Sequence, residues 1–139
     1  MTCYFATFES NGGGFVVTFP DVPEAITEGD DRDEARANAQ DALEVALLTY
    51  VLDGLEFPKS VATVGEPISI SARVAVKIAF IEAFRDSGIT RVDLAQRLGK
   101  GENEVRRMLD PYHHTKLSSM ENGLRLLGKQ LVISVQDAA

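Results

Sequence analysis

The chain has 139 residues, 45% of them hydrophobic and 25% charged, with a formal charge of −7, the balance of a folded protein made of one ordinary domain or two small ones. No apolar run reaches the ~18 residues that a membrane span needs, and the opening Met1-Thr2-Cys3-Tyr4-Phe5 lacks the basic-then-apolar pattern of a secretion signal. Cys3 is the one cysteine, so no internal disulfide can form and a reducing cytoplasm is the expected setting.

The charge is unevenly spread. Residues 1–70 carry 13 acids against 3 bases, and residues 71–139 carry 8 acids against 11 bases. The halves therefore stand at −10 and +3, which suggests two modules with different partners. Separation matters here, because charges more than about 10 Å apart are largely screened at moderate salt.

Thr2 to Glu9 alternates as a strand, with Tyr4, Ala6 and Phe8 on one face and Cys3, Phe5 and Thr7 on the other. Ser10-Asn11-Gly12-Gly13 is a turn, and Phe15 to Phe19 returns as the second strand of a hairpin. Pro20-Asp21-Val22-Pro23 ends it, since proline cannot continue the ladder. Ala25-Ile26-Thr27 can add a short third strand. A helix follows, capped by Asp30 or Asp31, with Asp33 and Glu34 in a first turn where the helix dipole favours acids. Ala35, Ala39, Ala42, Leu43, Ala46, Leu47 and Tyr50 form its apolar face. Asp53-Gly54 and Pro58 end the helix, and Pro67 to Ser71 alternates as another strand. Residues 1–71 thus read as a small sheet packed on one helix.

Residues 72–139 read as a second, mostly helical module. Val74, Ile78 and Ile81, with Val76, Phe80 and Phe84, make a strongly apolar helix that stops at Ser87-Gly88. Shorter helices are expected over Thr90–Leu98, Glu102–Leu109 and Lys116–Leu127. Leu117, Met120, Leu124 and Leu127 share one face of the last, and Gly128 can end it in a left-handed conformation. Leu131, Ile133 and Val135 alternate, so a C-terminal strand can follow.

The stretch Thr90 to Leu109 is the most informative. Thr90 and Asp93 have the spacing of a capping box. Leu94, Leu98, Val105 and Met108 are placed as core anchors, and Ala95 is small enough for two crossing helices to approach. Gly99 stands where the chain must turn sharply. This is the spacing of a helix-turn-helix whose second helix enters the major groove. Glu102, Asn103, Arg106 and Arg107 then face outward near the start of that helix. Asn can pair bidentately with adenine, and Arg with guanine. Lys100, Thr115 and Lys116, with His113 or His114, are placed for phosphates. Lys100 stands where an apolar residue is common, and Glu102 and Glu104 repel phosphate. A single module would therefore bind modestly, and a dimer spanning half-sites ~34 Å apart would compensate.

Other chemistries find little support. Glu9, Asp21 and Asp41 do not align as a nuclease carboxylate set. Asp30-Asp31-x-Asp33 lacks the spaced ligands of a calcium loop, and helix capping explains it. His113-His114 are adjacent and have no further zinc ligand, and Gly12-Gly13-Gly14 leads into a strand without a following Lys-Ser/Thr. Cys3 reads as a half-buried strand residue. No catalytic residue, cofactor or metal is expected.

Several pieces in order resemble the HicB antitoxin family, in its variant with a helix-turn-helix. They are Gly12-Gly-Gly-Phe15, Phe19-Pro-Asp-Val-Pro23, Ala25-Ile-Thr-Glu-Gly29, Asp33-Glu-Ala-x-x-Asn-Ala39 and Asp41-Ala-Leu43. In the second half they are Leu94-Ala-x-Arg-Leu-Gly-Lys100, Arg107-Met-Leu-Asp-Pro111, His113-His-Thr-Lys-Leu117 and Leu127-Gly-Lys129. The resemblance implies an α+β fold: a partial ribonuclease-H-like sheet and helix, then an all-α helix-turn-helix module of the Cro/C1 type. It implies a non-enzymatic antitoxin with two partners. One is a HicA-like toxin, a small basic ribonuclease, held by the first module. The other is operator double-stranded DNA, held by the second in repression of the chain's own operon. A homodimer or higher homo-oligomer is expected. The candidate toxin contacts lie between Pro20 and Asp31, at Asp21, Glu24, Glu28, Asp30 and Asp31, where acidity complements a basic partner. Two other readings compete: a stand-alone transcription regulator whose first module senses a ligand or dimerises, and a metal-dependent nuclease.

Overall fold

The structure, a computed structural model, describes residues 3–137; Thr2, expected to open the first strand, lies outside them. The fold is α+β, and the chain divides into two compact units, Met1–Ala75 and Val76–Ala139.

In the first unit, strands β1 (Cys3–Asn11), β2 (Gly14–Thr18), β3 (Ile26–Gly29) and β4 (Glu66–Ser69) form an antiparallel sheet in the order β3-β2-β1-β4. The hairpin turn is Gly12-Gly13, so β1 runs two residues further than the sequence suggests. Thr7 opposes Thr18 across the hairpin, and Tyr4 opposes Ile68 on the other side of β1. Helix α1 (Arg32–Leu52) packs against β3, β2 and β4. Asp31 caps it, accepting the Glu34 N–H at 2.8 Å, which satisfies one orphan donor of the first turn and is worth about 1 kcal/mol.

Alternation along β1 sorts the sheet faces. Tyr4 and Ala6 are buried, while Cys3, Phe5 and Thr7 are half-buried. Ala35, Ala39, Leu43, Ala46 and Leu47 are buried along α1, as expected; Leu48 and Val51 are buried too, which widens the apolar stripe. The Arg32 guanidinium lies 4.6 Å from the Phe8 ring centre and 5.5 Å from that of Phe15. Arg32 and Arg36 both pair with Glu66, tying the start of α1 to β4. The irregular stretch after α1 is fastened by side chains. The Asp21 carboxylate accepts the N–H groups of Val61 and Ala62 at 2.9 and 2.8 Å, and the Tyr4 hydroxyl donates to the Pro58 carbonyl at 2.6 Å.

Helix α2 (Ala72–Ser87) begins in the first unit and continues into the second. There it is joined by α3 (Arg91–Leu98), α4 (Glu102–Leu109) and α5 (Leu117–Leu126). Val76, Phe80, Leu94, Ala95, Val105, Met108, Met120 and Leu124 make the core. Full burial of residues such as Leu94 and Val105 stabilises the unit by about 1.5–3 kcal/mol each. Gly123 lets α5 lie close to Phe80: an added Cβ would stand 2.5 Å from Phe80 Cε1.

Two expectations about this unit are corrected. Leu117 is 53% exposed and does not join the inner face of α5. It is the first residue of that helix, and Met120, Gly123 and Leu124 carry the buried stripe instead. No strand forms over Leu131 to Val135. Leu131 packs against the helical core, but Val135 is 94% exposed. Alternation cannot make a strand without a neighbour to complete the ladder, and the described part of this unit is otherwise helical.

Candidate nucleic-acid interface and acidic surface

The turn between α3 and α4 is built by local hydrogen bonds. The Thr90 hydroxyl accepts the Asp93 N–H at 3.1 Å, which starts α3. At its end Gly99 takes φ +66, a left-handed conformation that side chains with a Cβ resist. The Lys100 N–H bonds back to the Ala95 carbonyl at 3.0 Å, closing the cap and turning the chain toward α4. Gly101 is the N-cap of α4.

Helix α4 is sharply two-sided. Val105 and Met108 are buried, while Glu102, Asn103, Glu104, Arg106 and Arg107 are exposed. Asn103 and Arg107, four residues apart, share the outer face one helical turn from each other. Lys100 forms an i,i+4 ion pair with Glu104 at 3.3 Å, a surface contact worth at most ~0.5 kcal/mol.

The other sequence-derived positions fall in the segment joining α4 to α5. Lys116 is exposed and is the N-cap of α5, without a capping hydrogen bond from its side chain. His113 is half-buried and His114 exposed. The Thr115 hydroxyl accepts a 2.8 Å hydrogen bond from Lys77 Nζ, so its oxygen is already partnered, while its proton can still be donated.

Lys77 is the residue that sequence reasoning missed. It is 4% exposed. Its ammonium also donates to the carbonyl oxygens of Met108 at 3.0 Å and Arg107 at 3.4 Å. A buried cation is costly unless hydrogen-bonded, and the C-terminal end of α4, where the helix dipole is negative, supplies the partners. The signal was a lone base inside the run Val74 to Ile81, where apolar periodicity drew attention to its neighbours.

On the first unit the five predicted acids separate. Asp31 caps α1 and Asp21 holds the loop amides at Val61 and Ala62, so both carboxylates have structural partners. Glu24, Glu28 and Asp30 are exposed. Glu24 accepts from the Tyr50 hydroxyl at 2.7 Å. That hydrogen bond, helped by the Glu24 amide, holds the carboxyl below the usual range, and the same contact raises the Tyr50 phenol above its own. Both groups border a groove of about 670 Å³ between α1 and the β3 side of the sheet. Asp41 and Asp53, which sequence reasoning did not place on this surface, also line it. Among the described residues, no three His, Cys, Asp or Glu side chains are grouped to hold a metal ion, and no helix is long and apolar enough to cross a membrane.

Comparison with known proteins extends along most of the chain. Residues 3–79 match the family described as HicB-like antitoxin of bacterial toxin–antitoxin systems. Antitoxin HicB 1 of Photorhabdus laumondii is 37% identical over 124 residues, 89% of this chain and 80% of the relative. Antitoxin HicB of Escherichia coli K12 is 36% identical over 121 residues, 86% of this chain and 88% of its own. Antitoxin HicB of Pseudomonas fluorescens Pf0-1 is 33% identical over 129 residues, covering 91% and 88%. Spans of this length take in the helical unit as well as the sheet. With the family match over residues 3–79 and HicB antitoxins matched over most of their length, the chain belongs to the HicB-like antitoxin family.

Proposed function

We propose that the chain neutralises a HicA-like ribonuclease toxin through its first unit and represses its own operon by binding operator DNA through its second. In this reading residues 1–71 are a partial ribonuclease-H-like toxin-binding domain and residues 72–139 a DNA-binding domain. Helices α3 and α4 act as a helix-turn-helix of the Cro/C1 type, with α4 in the major groove. The observation that carries the DNA reading is the outer face of α4, where Asn103, Arg106 and Arg107 are exposed opposite the buried Val105 and Met108. Asn103 and Arg107 read base edges, and Lys100, Thr115 and Lys116 hold phosphates. Glu102 borders the same edge and tunes affinity downward by repelling the backbone.

The toxin reading is supported by charge. The first seventy residues carry 13 acids and 3 bases, a suitable cover for a basic RNA-binding surface. Glu24, Glu28, Asp30 and Asp31 are its exposed members, and the half-buried Asp21 shapes the surface. A homodimer places two α4 helices on the two halves of a palindromic operator. The chain itself performs no catalysis in this scheme, and the cytoplasm is where both partners occur.

Two measurements test the proposal. Where a reading frame adjoining the gene encodes a HicA-like toxin, co-expression restores growth if the chain is its antidote, and no rescue defeats that half. A gel-shift assay on DNA upstream of the gene gives a salt-sensitive complex that outlasts competition by unrelated DNA. Equal competition by any sequence defeats the operator half.

A further inference from the structure

The groove beside Tyr50 combines an apolar lining with carboxylates of one sign. Val45, Leu55 and Ile26 border it and are 56%, 56% and 64% exposed. Large side chains left in water at this density mark a surface that gains by being covered. The charged side chains lining it are Glu24, Asp41 and Asp53, and neither Lys nor Arg lines it. Its walls are firm. Asn38 Nδ2 donates to the Glu28 carbonyl at 2.9 Å on the β3 side, and Tyr50 bonds Glu24 at 2.7 Å, so α1 is tied across the groove to the chain on either side of Ile26. A groove held open in this way imposes little ordering cost on what enters it.

We propose that this groove is where the toxin docks, receiving a segment that carries apolar side chains flanked by lysine or arginine. The inference rests on the antitoxin reading above and deepens it by naming the place and the chemistry of contact. It moves the centre of that contact from the Pro20–Asp31 segment onto the outer side of α1. Charge selects the occupant. A cationic segment meets Glu24, Asp41 and Asp53 with complementary sign, and its apolar side chains cover Val45 and Leu55. A second copy meeting the groove with its own first unit would set 13 acids and 3 bases against the same number, and like-charge juxtaposition is unfavourable.

The test uses the full chain and its HicA-like toxin in an inactivated form that can be expressed. In titration calorimetry, the double variant Asp41→Lys/Asp53→Lys weakens toxin binding at least tenfold. The control Glu9→Lys/Glu56→Lys, with the same change in net charge off the groove, stays within about threefold. Amide hydrogen exchange on the unaltered chain gives a readout that needs no substitution: toxin slows exchange in α1 and β3. Equal weakening by both variants means that net charge alone attracts the toxin, and it overturns the groove. So does protection that appears elsewhere on the first unit. Protection of the groove in the chain by itself, growing with concentration, assigns it to self-association and also overturns the inference. Wild-type chain that does not bind the toxin at all defeats the antitoxin reading, and this inference with it. Tight wild-type binding that the groove variant leaves intact defeats only the groove.

Discussion

Lys77 Nζ donates to the Met108 carbonyl oxygen at 3.0 Å, inside the helical unit. The contact anchors the last turn of α4 to α2, and the further bond to Thr115 Oγ1 holds the end of the segment that leads into α5. Lys77→Met keeps the length of the side chain and removes the donors. The orphaned carbonyls and hydroxyl should cost about 1–3 kcal/mol, read as a lower urea midpoint with an unchanged slope. Operator affinity should fall as well, measured where the variant is still fully folded, because the pitch of α4 is no longer fixed. Unaltered stability would mean that water replaces the ammonium without loss.

Arg107 and Lys116 separate the two ways of holding DNA. Arg107→Ala should weaken operator binding by about 1–3 kcal/mol and relax preference at one base pair. Lys116→Ala should weaken all sequences alike and reduce the salt slope by about 1. Competition assays on operator and scrambled duplexes at several salt concentrations decide the matter. The same loss on every sequence from both variants would erase the distinction.

The Glu24–Tyr50 pair sets a pH window on the first unit. The folded carboxyl titrates below its usual value, chiefly through the phenol hydrogen bond. Its stabilising effect is therefore present above the pKa of the unfolded carboxyl and is lost as pH falls through the lowered folded value. The phenol is shifted upward, so its side of the contact is kept below the unfolded tyrosine pKa and lost as pH rises through the raised one. An NMR titration of the Glu24 side-chain carboxyl carbon should give a depressed midpoint that moves most of the way back in Tyr50→Phe. An unmoved midpoint would assign the shift to the Glu24 amide.

Two glycines of the helical unit should respond differently to alanine. At Gly123 the new methyl meets Phe80, which is fully buried, and overpacking of this kind costs about 1–3 kcal/mol. At Gly99 nothing lies within 4 Å of the added carbon, but φ is +66, so the cost is the backbone strain of about 1 kcal/mol that a left-handed residue bears. Thermal melts compare them. A milder effect at Gly123 than at Gly99 would mean that Phe80 can move aside.

Much of this architecture was legible in the chain. Period-two alternation marked β1, the Gly12-Gly13 turn marked the hairpin, and the spacing picked out Leu94, Ala95, Val105 and Met108 as buried positions of α3 and α4, with Leu98 half-buried beside them. What was hidden depended on distant partners. Pattern alone could not tell that Asp21 would be drawn to Val61 and Ala62, forty residues on. Nor could it tell that the alternating Leu131 to Val135 would find no neighbouring strand. Asp41 and Asp53 join Glu24 around one groove because α1 lies along β3, a tertiary fact that no local window contains.

The enclosed ammonium of Lys77 also changes how the basic half should be counted. A tally of cations along residues 71–139 gives eleven, yet this one is directed at the protein's own carbonyls and cannot displace a counterion from a polyanion. Ionic-strength titrations of operator binding should therefore report fewer released ions than the count of bases implies. Phosphate contacts are left to the exposed bases of this half, and selectivity has to come from fit at close range.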